Sequence, residues 1–278
     1  MTDFTATWLD LREPADHRSR NGAIAQALGK HFEGRREITI VDLGCGTGSN
    51  LRATAPLLGP EQHWLLVDRE RGLLEAAAGR LTMWADGADW SDETLLLRKG
   101  GKRISVAFRR ADLAHDLEAA IGPNADLIAA SALFDLVSAD FIARLSADLA
   151  RRRCAFYTVL TYDGAWRWLP ECAADRTLLD AFNAHQRRDK GFGPAAGPDA
   201  CEVISAAVNA VGHRLLRGDS AWRLGTGDDA LLAQLAAEFA VAAGETGRVD
   251  AAVIAGWRAL ARTGAVVGHA DILALPPC

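Results

Sequence analysis

Positive charge is in deficit. The 278-residue chain sets 31 lysines and arginines against 36 aspartates and glutamates, a net charge of -5. That sign does not suit a surface that must neutralise a run of phosphates, so no nucleic-acid partner is expected. The one dense basic run, Arg151 to Arg153, closes an expected helix, where cations complement the macrodipole. Cysteines are few, odd in number and scattered: Cys45, Cys154, Cys172, Cys201 and Cys278 form no C-x-x-C pair. Neither a zinc site nor a disulfide framework is indicated, and the thiols are expected to be reduced. No apolar run approaches the ~18 residues of a membrane span. The start, MTDFTATWLD, lacks the charged and apolar regions of a secretory signal. The expectation is a cytoplasmic protein without metal or membrane partner. No internal repeat is present, and the alanine enrichment of the C-terminal third reads as helical composition.

What is plentiful is apolar. At 49% hydrophobic residues the chain can bury the core of one large domain, or of a domain with an elaborated cap. The most informative stretch is Val41 to Gly48, VDLGCGTG, after the β-branched run Ile38 to Val41. Such a run reads as a strand buried on both faces of a parallel sheet. Three glycines in five residues remove side chains where the backbone turns sharply and a ligand approaches closely. A dinucleotide loop needs G-x-G-x-x-G to seat a pyrophosphate on a helix N-terminus. Here the third glycine, Gly48, comes one position early and Ser49 takes its place. Asp42 stands two residues before Gly44, where it repels a diphosphate and attracts an ammonium group.

Later strands agree. His63 to Asp68 is apolar and ends in a carboxylate able to accept both hydroxyls of a ribose. Ile104 to Arg110 is followed by Ala111-Asp112-Leu113, whose carboxylate can accept an adenine amino group, and Ala125 to Ala130 opens into Ser131-Ala132-Leu133-Phe134-Asp135.

These motifs, in this order and spacing, resemble the class I S-adenosylmethionine-dependent methyltransferases over roughly Ile38 to Leu160. The resemblance implies an α/β fold, a doubly wound, mostly parallel seven-stranded Rossmann-like sheet with helical N-terminal and C-terminal caps. It also implies S-adenosyl-L-methionine as cofactor, with Gly44 and Gly46 for close backbone approach, Asp42 for the methionine ammonium, Asp68 for ribose and Asp112 for adenine. Arg69 and Leu113 beside those acids and Ser131 at the fourth strand complete the expected contacts. Cys45 is tolerated in the loop for its size and has no redox role. Residues 1–34 are expected to cover the cofactor, where Arg12, Arg18 or Arg20 can meet the methionine carboxylate or an acidic substrate. For any one of these arginines the competing reading is a solvated helix face.

Residues 35–162 form the expected cofactor-binding core, and 163–278 a substrate cap plus the final strands of the same domain. A helix from Arg71 to Trp84 precedes Thr94 to Arg98 and Ile104 to Arg109, which flank Lys99-Gly100-Gly101-Lys102 as a hairpin. Ser138 caps a helix from Asp140 to Arg152, and Cys154 to Thr161 reads as the fifth strand. Tyr162 to Trp168 is expected to leave the sheet edge toward a helix, Asp175 to Arg188, and the loop Gly191 to Pro198. A helix at Cys201 to Val211, a strand at His213 to Leu224, two helices (Asp229 to Ala243, Val249 to Thr263) and a strand at Ala265 to Leu275 follow. The last two strands are expected as an antiparallel pair.

Methyl transfer from a sulfonium needs mainly alignment and exclusion of water. Whether a base is needed depends on the acceptor: an amine or hydroxyl can use one, a thiolate needs none. Asp135, past the fourth strand, can orient or deprotonate an acceptor, or cap a helix. His185 lies in the polar cluster Ala184-His185-Gln186-Arg187-Arg188-Asp189-Lys190 and has a suitable unperturbed pKa, though a lone histidine is often structural. Tyr162, Asp163 and Trp166 can face a planar or cationic acceptor, or pack the cap onto the sheet. No D/N-P-P-Y/F follows the fourth strand, which counts against methylation of a nucleobase amine. The expected function is methyl transfer to an N, O or S atom of a small metabolite. The alternatives are a catalytically inactive S-adenosylmethionine-binding protein and an NAD-dependent oxidoreductase on the same sheet.

Overall fold

The computed structural model describes residues 5–277; Cys278 and the first four residues of the N-terminal segment lie outside them. Two helices lead in, α1 (Ala6–Ser19) and α2 (Gly22–His31), capped by Thr5 and Asn21 side chains. The chain then runs β1 (Glu37–Leu43), α3 (Ser49–Thr54), β2 (Glu61–Asp68), α4 (Arg71–Trp84), β3 (Gly87–Ser91), β4 (Thr94–Lys99) and β5 (Lys102–Arg110). Next come α5 (Leu113–Ile121), β6 (Leu127–Ser131), α6 (Ala139–Arg152), β7 (Ala155–Leu169), α7 (Asp175–Gln186) and α8 (Ala200–Ala210). It closes with β8 (Arg214–Asp219), β9 (Trp222–Leu224), α9 (Asp229–Glu245), α10 (Ala251–Arg258) and β10 (Gly264–Leu275).

One sheet carries all of them, in the order β3-β4-β5-β2-β1-β6-β7-β10-β8, with β9 beside β10. The five central strands, β5 to β7 in that order, pair in parallel. Pairing of β10 with β7, β8 and β9 is antiparallel. From β1 the chain winds outward to β2 and β5 on one side, then returns to β6 and β7 on the other. The reversal leaves a crevice at the C-terminal ends of β1 and β6, where open α/β sheets bind ligands. Apolar side chains fill both faces. α5, α6 and α8 share one cluster with Val41, Ile128 and Phe156. Residues of α2, α4, α7 and α9 join the other, with Ile38, Ile40 and Tyr157.

The seven expected sheet strands and the expected hairpin strand are present, and two more, β3 and β9, accompany them. The expected hairpin at Gly100-Gly101, both with positive φ, joins β4 to β5, and β3 adds a second hairpin that carries the sheet further out. The expected strand from His213 to Leu224 is broken at Ser220-Ala221 into β8 and β9. The largest correction concerns Tyr162 to Trp168. This stretch does not leave the sheet: β7 continues to Leu169 because Gly264 to Val267 of β10 pairs with residues 166–169. Trp166 and Trp168, on one face of that extension, bury themselves against Phe239 and Trp257. No helix of the described residues is long and apolar enough to cross a membrane.

Candidate active site at the sheet switch point

The glycine loop follows β1, and Gly44, Gly46 and Gly48 all have positive φ, at 64°, 52° and 76°. L-residues with a Cβ reach that region only at a cost, which accounts for glycine at each position. The loop is overlaid from two sides. A Cβ at Gly44 would lie 3.2 Å from Leu133, just past β6, and one at Gly46 would lie 2.9 Å from Leu9 of α1. The N-terminal helix therefore rests on the loop. Bidentate Glu13–Arg52 bonds of 2.9 and 2.5 Å, a 2.9 Å contact between His17 Nε2 and Ser49 Oγ, and an ion pair between Asp10 and Arg80 pin it there.

Asp42 lies beneath the loop, fully buried. Its Oδ1 accepts a 2.7 Å hydrogen bond from Asn50 Nδ2, and its Oδ2 has no partner. Burial, only partly offset by that bond, pushes its pKa up to about 7. Arg20 supports the arrangement from outside by donating to Asn50 Oδ1 at 2.9 Å and Thr54 Oγ1 at 3.1 Å. Arg18, by contrast, is turned away: its guanidinium pairs with Asp228 at 2.6 Å and is exposed. The arginine that reaches the β1 end is Arg20, which lies in the turn between α1 and α2 immediately after Ser19.

Asp68 closes the loop from β2. It accepts the Gly46 amide at 2.9 Å and the Glu70 amide at 3.0 Å, and burial pushes its pKa up. Arg69 follows it and pairs with Glu70 at 3.1 Å. Cys45 is buried inside the loop, and burial beside Asp68 and Asp42 pushes its thiol well above the ordinary range, which leaves it unreactive. Asp112 is exposed and caps α5: its Oδ1 accepts the Ala114 amide at 3.0 Å, beside buried Leu113. Ser131 ends β6 next to the switch point.

Across the crevice stands Asp135. Two non-glycine residues with positive φ, Ala132 at 51° and Leu160 at 56°, end β6 and bend β7 on either side of it. Such positions cost on the order of 1 kcal/mol and gather where function over-determines the backbone. Asp135 is buried, and burial pushes its pKa up to about 6 against the opposing pull of Arg12 and Lys190. Tyr162 is its neighbour on β7. The phenol donates to Asn183 Oδ1 at 2.9 Å, and burial holds its pKa above the ordinary range. His185, on α7, contacts Glu245 through Nε2 at 2.9 Å and Lys190 Nζ through Nδ1 at 3.4 Å; burial and Lys190 hold its pKa down. Asp163 is half-buried and accepts the Ala165 amide at 3.0 Å. Trp166 packs into the cap core, and of its two readings only packing survives.

Sequence reading missed His269 on β10. It faces Tyr162 and Trp222 at ring distances of 6.2 and 5.0 Å, with its Nδ1 unpartnered, and burial pushes its pKa down to about 3. Nothing near it in the chain signals a site: it is a lone histidine in an apolar strand. Arg12 and Asp16 of α1 complete this flank, with Asp16 receiving both the Arg12 fork and the Trp222 indole N–H at 3.0 Å. No group of histidine, cysteine, aspartate and glutamate among the described residues could hold a metal ion.

Strand order, the glycine loop at the switch point and the antiparallel closing strands define the Rossmann-like fold of the class I methyltransferases. Known structures agree. The cyclopropane-fatty-acyl-phospholipid synthase-like protein of Lactobacillus casei superposes with a TM-score of 0.52 at 14% identity, over 98% of this chain and 94% of that one. The YcgJ protein of Bacillus subtilis superposes with a TM-score of 0.50 at 14% identity, over 92% and 99%. At that identity the likeness is one of fold. No family model and no curated protein matches the sequence.

Proposed function

We propose that this protein is an S-adenosylmethionine-dependent methyltransferase that moves a methyl group to an N, O or S atom of a small molecule by in-line displacement. The observation that carries this reading is Asp42: a fully buried carboxylate under a glycine loop, with one oxygen lacking any partner. An ammonium group satisfies that oxygen, whereas a diphosphate would be repelled by it. The neighbouring residues fit the rest of the cofactor. Asp68 suits a ribose diol, Asp112 an adenine amino group, and the bare backbone at Gly44 and Gly46 a close approach. Arg69, Leu113, Ser131 and the small Cys45 line the same edge.

Bound there, the cofactor would supply an activated methyl group on a sulfonium. The work of the chain is then to exclude water and align the acceptor. α1, fastened through Glu13 and His17, does the first. Asp135 does the second, and its pKa near 6 lets it take a proton from a hydroxyl or ammonium acceptor at neutral pH. Tyr162 borders it, His185 stands against Lys190, and both shape the acceptor's approach. Melting the protein with S-adenosylmethionine, S-adenosylhomocysteine and NAD(H) in parallel tests the reading. At about 100 times its dissociation constant a ligand stabilises by roughly 2.7 kcal/mol, a rise of a few degrees. The adenosyl ligands are expected to raise the melting temperature and NAD(H) to leave it; the reverse pattern would make the protein an oxidoreductase.

Asp42 also predicts a pH dependence. In the folded chain it keeps its proton up to about 7, whereas in an unfolded chain it titrates near ~3.9. Between those values only the folded state holds the proton, so the contribution of Asp42 to stability falls as pH rises across that window and levels off above it. An adjacent ammonium favours the ionised carboxylate. Binding of S-adenosylhomocysteine is therefore expected to release a proton and to tighten between about pH 5.5 and 7, and Asp42→Asn to remove both effects. Calorimetry in buffers of differing ionisation enthalpy reads the proton, and wild-type binding without release rejects this role for Asp42.

A further inference from the structure

Two cations converge on the buried acid of this site. Arg12 approaches from α1 and Lys190 from the loop after α7, and both act electrostatically on the Asp135 carboxylate. Arg12 already has an anion: its Nε and Nη2 donate to Asp16 at 2.9 and 3.2 Å, and its guanidinium lies 4.9 Å over the Trp222 ring. Lys190 has none. It is half-buried, it pairs with no carboxylate among the described residues, and its Nζ meets His185 Nδ1 at 3.4 Å. Glu245 stands on the far side of that imidazole, bonded to Nε2.

The position of Lys190 is built and not incidental. Asp189 Oδ1 accepts the amides of Gly191 and Gly193 at 2.6 and 3.0 Å, which closes a tight turn around it. The Ala196 amide donates to Val137 O at 2.7 Å and the Gly197 amide to Asp135 O at 3.0 Å. The loop is thereby fastened to the segment that carries Asp135. On the opposite flank His269 is neutral, with a bare Nδ1 that can receive a hydrogen bond and brings no negative charge. A half-buried ammonium with no carboxylate partner is costly, and an anion in the site would offset that cost.

We propose that Lys190 seats an anionic group, a carboxylate or phosphate oxygen carried by the methyl acceptor, while the acceptor's nucleophilic atom faces Asp135. The proposal rests on the methyltransferase reading above. It makes the substrate a small organic acid or phosphomonoester, and not a simple amine or neutral alcohol.

The test uses the full chain saturated with S-adenosylhomocysteine and melted with matched probes: benzoate and hexanoate, phenyl phosphate and glycerol phosphate, benzamide and benzylamine. Acids of at least one class are expected to raise the melting temperature while the amide and amine do not, and the two acid classes tell carboxylate from phosphate. Lys190→Met is expected to weaken acid binding about tenfold or more, the scale of one charge-assisted hydrogen bond. Lys190→Arg should retain it, and Lys30→Met, an exposed lysine on α2, should leave it unchanged. All three variants should keep the wild-type response to S-adenosylhomocysteine, which reports folding and cofactor binding separately. Equal binding of amide or amine, no response to any acid, or acid binding that survives Lys190→Met overturns the proposal alone. A wild type that ignores S-adenosylhomocysteine removes the methyltransferase reading and this inference with it.

Discussion

Asp68→Ala is expected to abolish the thermal response to S-adenosylmethionine and S-adenosylhomocysteine at concentrations that saturate the wild type. A ribose diol offers two hydroxyl donors, and a hydrogen bond to a charged group contributes ~1.5–3 kcal/mol. Losing both weakens binding by roughly 10² to 10⁴-fold. The same carboxylate holds the loop through the Gly46 and Glu70 amides. Alanine therefore also leaves two backbone donors without their acceptor, at about 1–3 kcal/mol each where they stay dry. The two effects separate experimentally: the melting temperature of the free variant reports the loop, and the ligand-induced increment reports the ribose contact. Asp68→Asn keeps the shape but only one acceptor oxygen, and should fall between. An undiminished increment in Asp68→Ala would mean that the diol is held elsewhere and that Asp68 serves only the loop.

Trp168→Ala is expected to cost about 3–5 kcal/mol, the range for removing a large aromatic from a packed core. The ring is fully buried, edge-on to Trp257 and Phe239 at 5.4 and 5.8 Å, and it carries the Arg262 guanidinium at 5.5 Å. Its indole N–H has no acceptor, so truncation orphans no hydrogen-bond partner and the cost is packing together with the lost contact to Arg262. That cost is a large share of the ~5–15 kcal/mol by which domains are stable. It falls on the cap, because Phe239 and Trp257 belong to α9 and α10. Urea titration should therefore show a lower midpoint, and amide exchange should accelerate in α7, α9 and α10 before β1 and β2. A loss below about 1 kcal/mol would show that the cap does not depend on this cluster.

The residues of the proposed cofactor half were legible in the sequence for a physical reason. Strands buried on both faces must be apolar throughout, turns at positive φ favour glycine, and a carboxylate at a strand end lies at the sheet edge whatever surrounds it. Asp42, Gly44, Gly46 and Asp68 all follow from such local rules. The proposed acceptor half is legible only in part: Arg12, Asp135 and Tyr162 stand out as candidates in the sequence, but the roles of Lys190 and His269 do not, because the five residues come from separate stretches that only the fold brings together. Arg12, Arg18 and Arg20 could not be told apart in the sequence, because no sequence pattern tells which way a side chain points near the turn between two helices.

The amino-acid sequence by itself determined the alternation of strands and helices from β1 to β7 apart from β3, the glycine loop and the acids at the strand ends, since each follows from local periodicity and backbone sterics. Tertiary structure alone decided three things. β7 continues to Leu169, because its partner in β10 lies about a hundred residues away and supplies the hydrogen bonds. α1 settles on the glycine loop, because Leu9, Glu13 and His17 find their contacts there. Lys190 comes within electrostatic reach of Asp135 without a carboxylate in ion-pair contact, because the fold brings together groups from separate parts of the chain.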